Sequence, residues 1–152
     1  MVAAIYVLNN NGIPILSVTD PLHRKATSTS KDDTYLFSGI LSAIMSFMEE
    51  IKAGKLRKFN TELKTIHLYR NKEFSIAVIT DMNDSTEEAV IETLFSKIET
   101  EIFFFLNKAK GEISLIPESE YEKLEQKIIS IINEVKSKED EEAVRRIKES
   151  LW

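Results

Sequence analysis

The chain has 152 residues, 43% of them hydrophobic, and a formal charge of −5 at pH 7. That length suffices for one well-packed domain and is short for two, and the mild acidity argues against a nucleic-acid partner. The absence of cysteine rules out disulfides and thiolate metal sites, and no apolar run approaches the ~20 residues of a membrane span, so a cytoplasmic protein is expected.

The opening MVAAIYVLNN lacks the positive start and the long apolar run of a signal peptide. Within AAIYVLNNNGIPILSVTD, two β-rich apolar runs flank Asn9-Asn10-Asn11-Gly12, which predicts a hairpin. Ala4, Tyr6 and Leu8 alternate with Ile5 and Val7, all apolar, so the first strand belongs in a sheet covered on both faces. Pro14 cannot donate to a ladder and puts the second strand at an edge.

A polar loop over 20–33 carries His23-Arg24-Lys25. Asp32 or Asp33 then caps a helix expected to run to about Ala53, with Gly54 as its stop. The spacing of Phe37, Ile40, Leu41, Ile44, Met48 and Ile51 predicts its core stripe. Three strands follow at about 55–61, 63–70 and 74–80. Asp84-Ser85-Thr86-Glu87-Glu88 is a capping-box start, and the helix it opens is expected to run to about Ala109, before Gly111. Its stripe is Ile91, Leu94, Phe95, Ile98, Ile102 and Phe105.

Within EIFFFL (residues 101–106) three consecutive rings spread over roughly 200° of the circumference. Phe103 and Phe104 fall off the stripe. A third helix opening at Pro117, with Tyr121, Leu124, Ile128, Ile131 and Val135 on one side, is expected to cover them. The charged run Lys136–Glu142 predicts a break or a solvated turn, and EEAVRRIKESLW a short amphipathic helix carrying Val144, Ile147, Leu151 and Trp152. The organisation expected is a domain over 1–136 and an extension over 137–152.

Reaction machinery is sparse. Neither G-x-x-x-x-G-K-[ST] nor G-x-G-x-x-G occurs, and no Ser sits in a G-x-S-x-G elbow. His23 and His67 have no second ligand at metal spacing. Glu49-Glu50 and Glu87-Glu88 are adjacent on helices and diverge by ~100°. An enzyme is not expected, and no catalytic, cofactor-binding or metal-ligating residue is assigned.

AIYVLNNNGIPILSVTD, YLFSGILSAIMSFMEEI and LKTIHLYRNKEFSIAVITD resemble the longin-like domains, relatives of the roadblock domains, a group that includes stand-alone archaeal proteins. The resemblance covers about residues 3–109. The third helix matches the longin form, and the start lacks the additional helix with which roadblocks begin; the terminal helix has no counterpart. The resemblance implies an α+β, profilin-like fold: a five-stranded antiparallel sheet in the order 2-1-5-4-3, with the first helix on one face and the second and third on the other. It also implies a protein-interaction platform that serves small Ras-like GTPases or vesicle-trafficking assemblies, often as a homodimer or heterodimer.

The first helix has a weakly charged outer side: Tyr35, Gly39, Ser42, Ser46 and Ala53, with Ala43 on the shoulder and Glu50 as its one charge. A solvated helix face is normally rich in Lys and Glu, so a partner helix is one expectation and a covering loop such as 20–33 the other. In the related roadblock dimers the matching helix and the next strand pair across a two-fold. Here that strand is KLRKFNT, whose Lys55, Arg57 and Lys58 also read as edge protection. With His23, Arg24 and Lys25 these charges could meet an acidic partner or an anionic lipid surface, as a peripheral membrane contact, or be a solvated face. A small-ligand sensing module of PAS- or GAF-like plan is the alternative function, to be told apart by a polar-lined cavity.

Overall fold

Apolar strands covered on both faces belong in the middle of a sheet, and that is where β1 and β5 lie. The computed structural model describes residues 2–19, 31–82, 88–108 and 116–151, in two compact units, Met1–Thr86 and Glu87–Trp152. The capping box around Ser85, the loop residues His23, Arg24 and Lys25, and Trp152 lie outside the described residues. The first unit holds β1 (Val2–Asn9), β2 (Pro14–Thr19), α1 (Lys31–Glu50), β3 (Lys58–Asn60), β4 (Lys64–Arg70) and β5 (Phe74–Asp81). The strands form one antiparallel sheet in the order β2-β1-β5-β4-β3, as the longin resemblance implies.

Register sorts the side chains. Tyr6 stands opposite Ala77, which stands opposite Leu68, while Ile5 and Val7 oppose Val78 and Ile76 and point the other way. Ala4, Tyr6, Leu8, Ile66, Leu68 and Ala77 pack with Leu41 and Met45 of α1, and Phe37, Leu56, Phe59 and Ile79 border the cluster. Thus α1 covers this face. The opposite face is equally dry: Ile5, Val7, Ile76 and Val78 are fully buried. Each such side chain contributes about 1.5–3 kcal/mol by leaving water.

The β1–β2 turn is wired by one side chain. Asn9 Oδ1 accepts from the backbone N–H of Asn11 (2.9 Å) and of Ile13 (3.0 Å). Gly12 sits at φ 80°, the left-handed region that the Asn-Gly pair was read to require.

Helix α1 departs from its predicted stripe. Ser38, Leu41, Ser42 and Met45 are buried, whereas Ile40, Ile44 and Ile51, expected in the core, are 52%, 36% and 54% exposed. The helix is rotated so that its small residues meet the Gly12 turn. A Cβ at Gly12 would lie 3.0 Å from Ser42 Cβ and 3.3 Å from Gly39 Cα. The helical spacing predicts the small side chains on an outer face, yet on the Ser38–Ser42 side they permit close backbone approach. The helix also stops earlier than expected, at Glu50, and leaves through positive φ at Lys52 and Gly54.

The second unit is α2 (Glu88–Lys108) and α3 (Glu118–Ser150). The predicted α2 stripe of Ile91, Leu94, Phe95, Ile98, Ile102 and Phe105 is buried. The helices run antiparallel: Phe105 meets Tyr121 edge-on at 5.0 Å, Lys127 pairs with Glu101 at 3.3 Å, and Lys97 with Glu134 at 3.0 Å. Of the EIFFFL rings, Phe104 is not covered as expected but is 63% exposed, whereas Phe105 is buried against Tyr121 of α3. The predicted break over 136–142 is also corrected, since α3 is continuous through it. The alternating charges there include the i,i+4 pairs Lys138–Glu134 and Arg146–Glu142, which support a solvated helix without tertiary cover. Val135 is the last buried residue of α3; Val144, Ile147 and Leu151 are 53%, 60% and 76% exposed.

Glu134 yields a pH prediction. The hydrogen bond and charge of Lys97, reinforced by Lys138, hold its carboxyl below the usual carboxylate range. A depressed folded-state value contributes stability above the unfolded pKa and loses it as pH falls through the folded one. Thermal unfolding of Glu134→Gln should therefore fall slightly below wild type near neutral pH, and the difference should vanish as pH drops below the ordinary glutamate range. A difference unchanged across that window would show that the Lys97 pair contributes nothing.

Candidate interaction surface

Each residue of a helix turns it by about 100°, so α1 has two distinct flanks beside its buried stripe. One carries Tyr35, Ser42, Ser46 and Glu49 and faces the hairpin and the end of β4. Arg70 donates from Nη1 to Ser46 Oγ at 3.4 Å and pairs with Glu49 at 3.7 Å. The other carries Leu36, Ile40, Ile44, Phe47 and Ile51. These five large apolar side chains are 36–65% exposed, and Phe47, at 56%, is the bulkiest. Isolated exposed apolar residues are common, whereas a row of them along one helix is less usual on a solvated surface.

The interface set read from the sequence divides accordingly. Tyr35, Gly39, Ala43 and Ser46 are exposed, and a Cβ at Gly39 would meet nothing within 4 Å. Ser42 is corrected: at 8% exposure it lies beneath the Gly12 turn and cannot face a partner. Lys55, Arg57 and Lys58 are exposed on the approach to β3 and along it. The reading missed Leu36 and Phe47 and gave Ile40, Ile44 and Ile51 to the core. The available signal was the breadth of the apolar arc. From Met48 round to Leu36 it is too wide for one sheet contact, and a cap of Ser and Gly at its far side fixes the rotation.

The chain runs from Ile51 directly into the basic stretch. The Arg57 carbonyl accepts from the Leu68 N–H at 2.8 Å, and Phe59 opposes Ile66. Among the described residues β3 is the last strand of the sheet, and one side of its backbone has no strand neighbour there. Ile51, the last residue of the apolar flank, precedes this edge strand by a few residues in the chain.

No group of three or more His, Asp or Glu converges among the described residues. His67 is half-buried, its Nε2 3.1 Å from Thr80 Oγ1. Among the described residues no helix is long and apolar enough to cross a membrane.

No protein-family profile and no curated protein sequence matches the chain. Among solved structures it is similar to Myxococcus xanthus MglB, with TM-score 0.43 and 13% identity over 55% of this chain and 68% of that one. It is also similar to a roadblock/LC7 domain from Streptomyces avermitilis, with TM-score 0.41 and 10% identity over 54% of this chain and 68% of that one. Independently of both, the strand order β2-β1-β5-β4-β3, with a helix between β2 and β3 among the described residues, is that of the longin/roadblock-like fold.

Proposed function

We propose that the chain is a non-enzymatic, cytoplasmic interaction module that docks a protein through the apolar flank of α1 and the β3 edge. The observation that supports this is the row Leu36, Ile40, Ile44, Phe47 and Ile51, left uncovered beside a filled helix–sheet core. The longin/roadblock resemblance supplies the class of assembly: a second domain of this kind, as homodimer or heterodimer, serving a small Ras-like GTPase or a trafficking-type complex. Residues 1–136 act as the domain on this reading and 137–152 as an amphipathic extension. The space between α1 and the sheet is occupied by apolar side chains that touch one another, which favours docking over small-ligand sensing.

Affinity capture from native lysate with wild type, Phe47→Glu and Ser46→Glu tests the reading. A protein retained by wild type and Ser46→Glu and lost by Phe47→Glu supports it; captured proteins indifferent to Phe47→Glu overturn it. The chain alone is expected neither to bind nor to hydrolyse nucleotide, and micromolar binding of ATP or GTP in calorimetry would contradict the non-enzymatic assignment.

A further inference from the structure

Between Ile51 and Thr61 the chain carries Lys52, Lys55, Arg57 and Lys58 and no acidic residue. All four are exposed, and none forms an ion pair among the described residues. On α1, Glu49 is engaged by Arg70 on the other flank, and the exposed Glu50, the last residue of the helix, precedes the stretch. This positive stretch borders the apolar flank at Ile51 and runs into the sheet edge at Lys58–Asn60.

We infer that the occupant of this surface is a non-identical chain whose own edge strand is acidic, rather than a second copy of this one. The inference rests on the docking reading above. In an isologous pair each contact is repeated about a two-fold axis, so the basic stretch of one copy would approach that of its mate. Lysines on an edge strand oppose edge-to-edge pairing, and like charges brought together across an interface cost several kcal/mol. An acidic edge converts the same repulsion into attraction while the apolar flank supplies the buried area. A lipid surface would use the charges but not the open backbone edge of β3.

A defined acidic partner can be made from this chain. In the triple variant Lys55→Glu, Arg57→Glu, Lys58→Glu the fold and the apolar flank are kept and the edge charge is reversed. Light scattering should find wild type and variant each monomeric at micromolar concentration in low salt, and their mixture a one-to-one dimer. Raising salt from about 0.05 to 0.5 M should weaken the mixed dimer at least ten-fold. Circular dichroism checks the fold of the variant, and Lys58→Glu alone replaces it if the triple change unfolds.

A wild-type dimer that Phe47→Glu dissociates would overturn the acidic-partner inference while leaving the docking reading intact. A mixture that stays monomeric would overturn the charge rule. If, in addition, lysate capture is indifferent to Phe47→Glu, the docking reading falls as well. Sedimentation of wild type, but not the triple variant, with phosphatidylserine vesicles would assign the basic stretch to an anionic membrane instead.

Discussion

Phe47→Glu in the wild-type component should weaken the mixed dimer by at least thirty-fold and leave the thermal midpoint of the monomer nearly unchanged. Phe47 is the largest side chain on the exposed flank and lies midway between Ile44 and Ile51. Aromatic residues near the centre of an interface commonly cost about 2 kcal/mol or more when removed, and about 1.4 kcal/mol is ten-fold in affinity. A carboxylate in its place must also be desolvated. The monomer should not notice, because exposed substitutions away from caps and cores change stability by roughly 0.5 kcal/mol at most. Ser46→Glu is the matched control: the same charge, on the same helix, placed beside Arg70 on the opposite flank. Loss of binding in both variants would point to net charge as the cause; loss in neither would move the interface away from α1.

The sheet was legible because its signals are local. The Asn-Gly turn, the proline at the start of β2 and the two-sided apolarity of β1 and β5 each determine one feature without reference to the rest of the chain. Helix α1 was legible as a helix and not as a rotation. Its apolar arc spans more than one contact can cover, so periodicity alone leaves two settings open. The choice is made by a contact between residues about 30 apart, the Gly12 turn against Ser42, which no helical pattern contains. Phe104 is a similar case: three adjacent rings cannot all face one neighbour, but their spacing does not say which is left exposed. The run 136–142 failed for the opposite reason. Dense charge reads as a break, but acidic and basic residues four apart stabilise an exposed helix, and α3 continues.

The contact that sets the rotation of α1 should be expensive to disturb. Ser42→Glu places a carboxylate under the hairpin, where Ser42 is buried, and burying a charge there should cost at least about 3 kcal/mol, a large share of a typical domain's stability. Gly12→Ala attacks the same contact from the other side, with two separable penalties. At φ 80° an alanine is strained by roughly 1–2 kcal/mol. In addition its Cβ lies 3.0 Å from Ser42 Cβ, closer than methyl groups pack. Ser42→Gly removes the closest of these approaches and keeps the first penalty, at a helix-propensity cost of about 0.5 kcal/mol. Urea unfolding of the two single variants and the double variant separates the terms. Gly12→Ala should cost about 2 kcal/mol or more in wild type and about 1 kcal/mol less in the Ser42→Gly background. Equal costs in both backgrounds would mean that the turn does not bear on the helix, and that the apolar flank is exposed for some other reason.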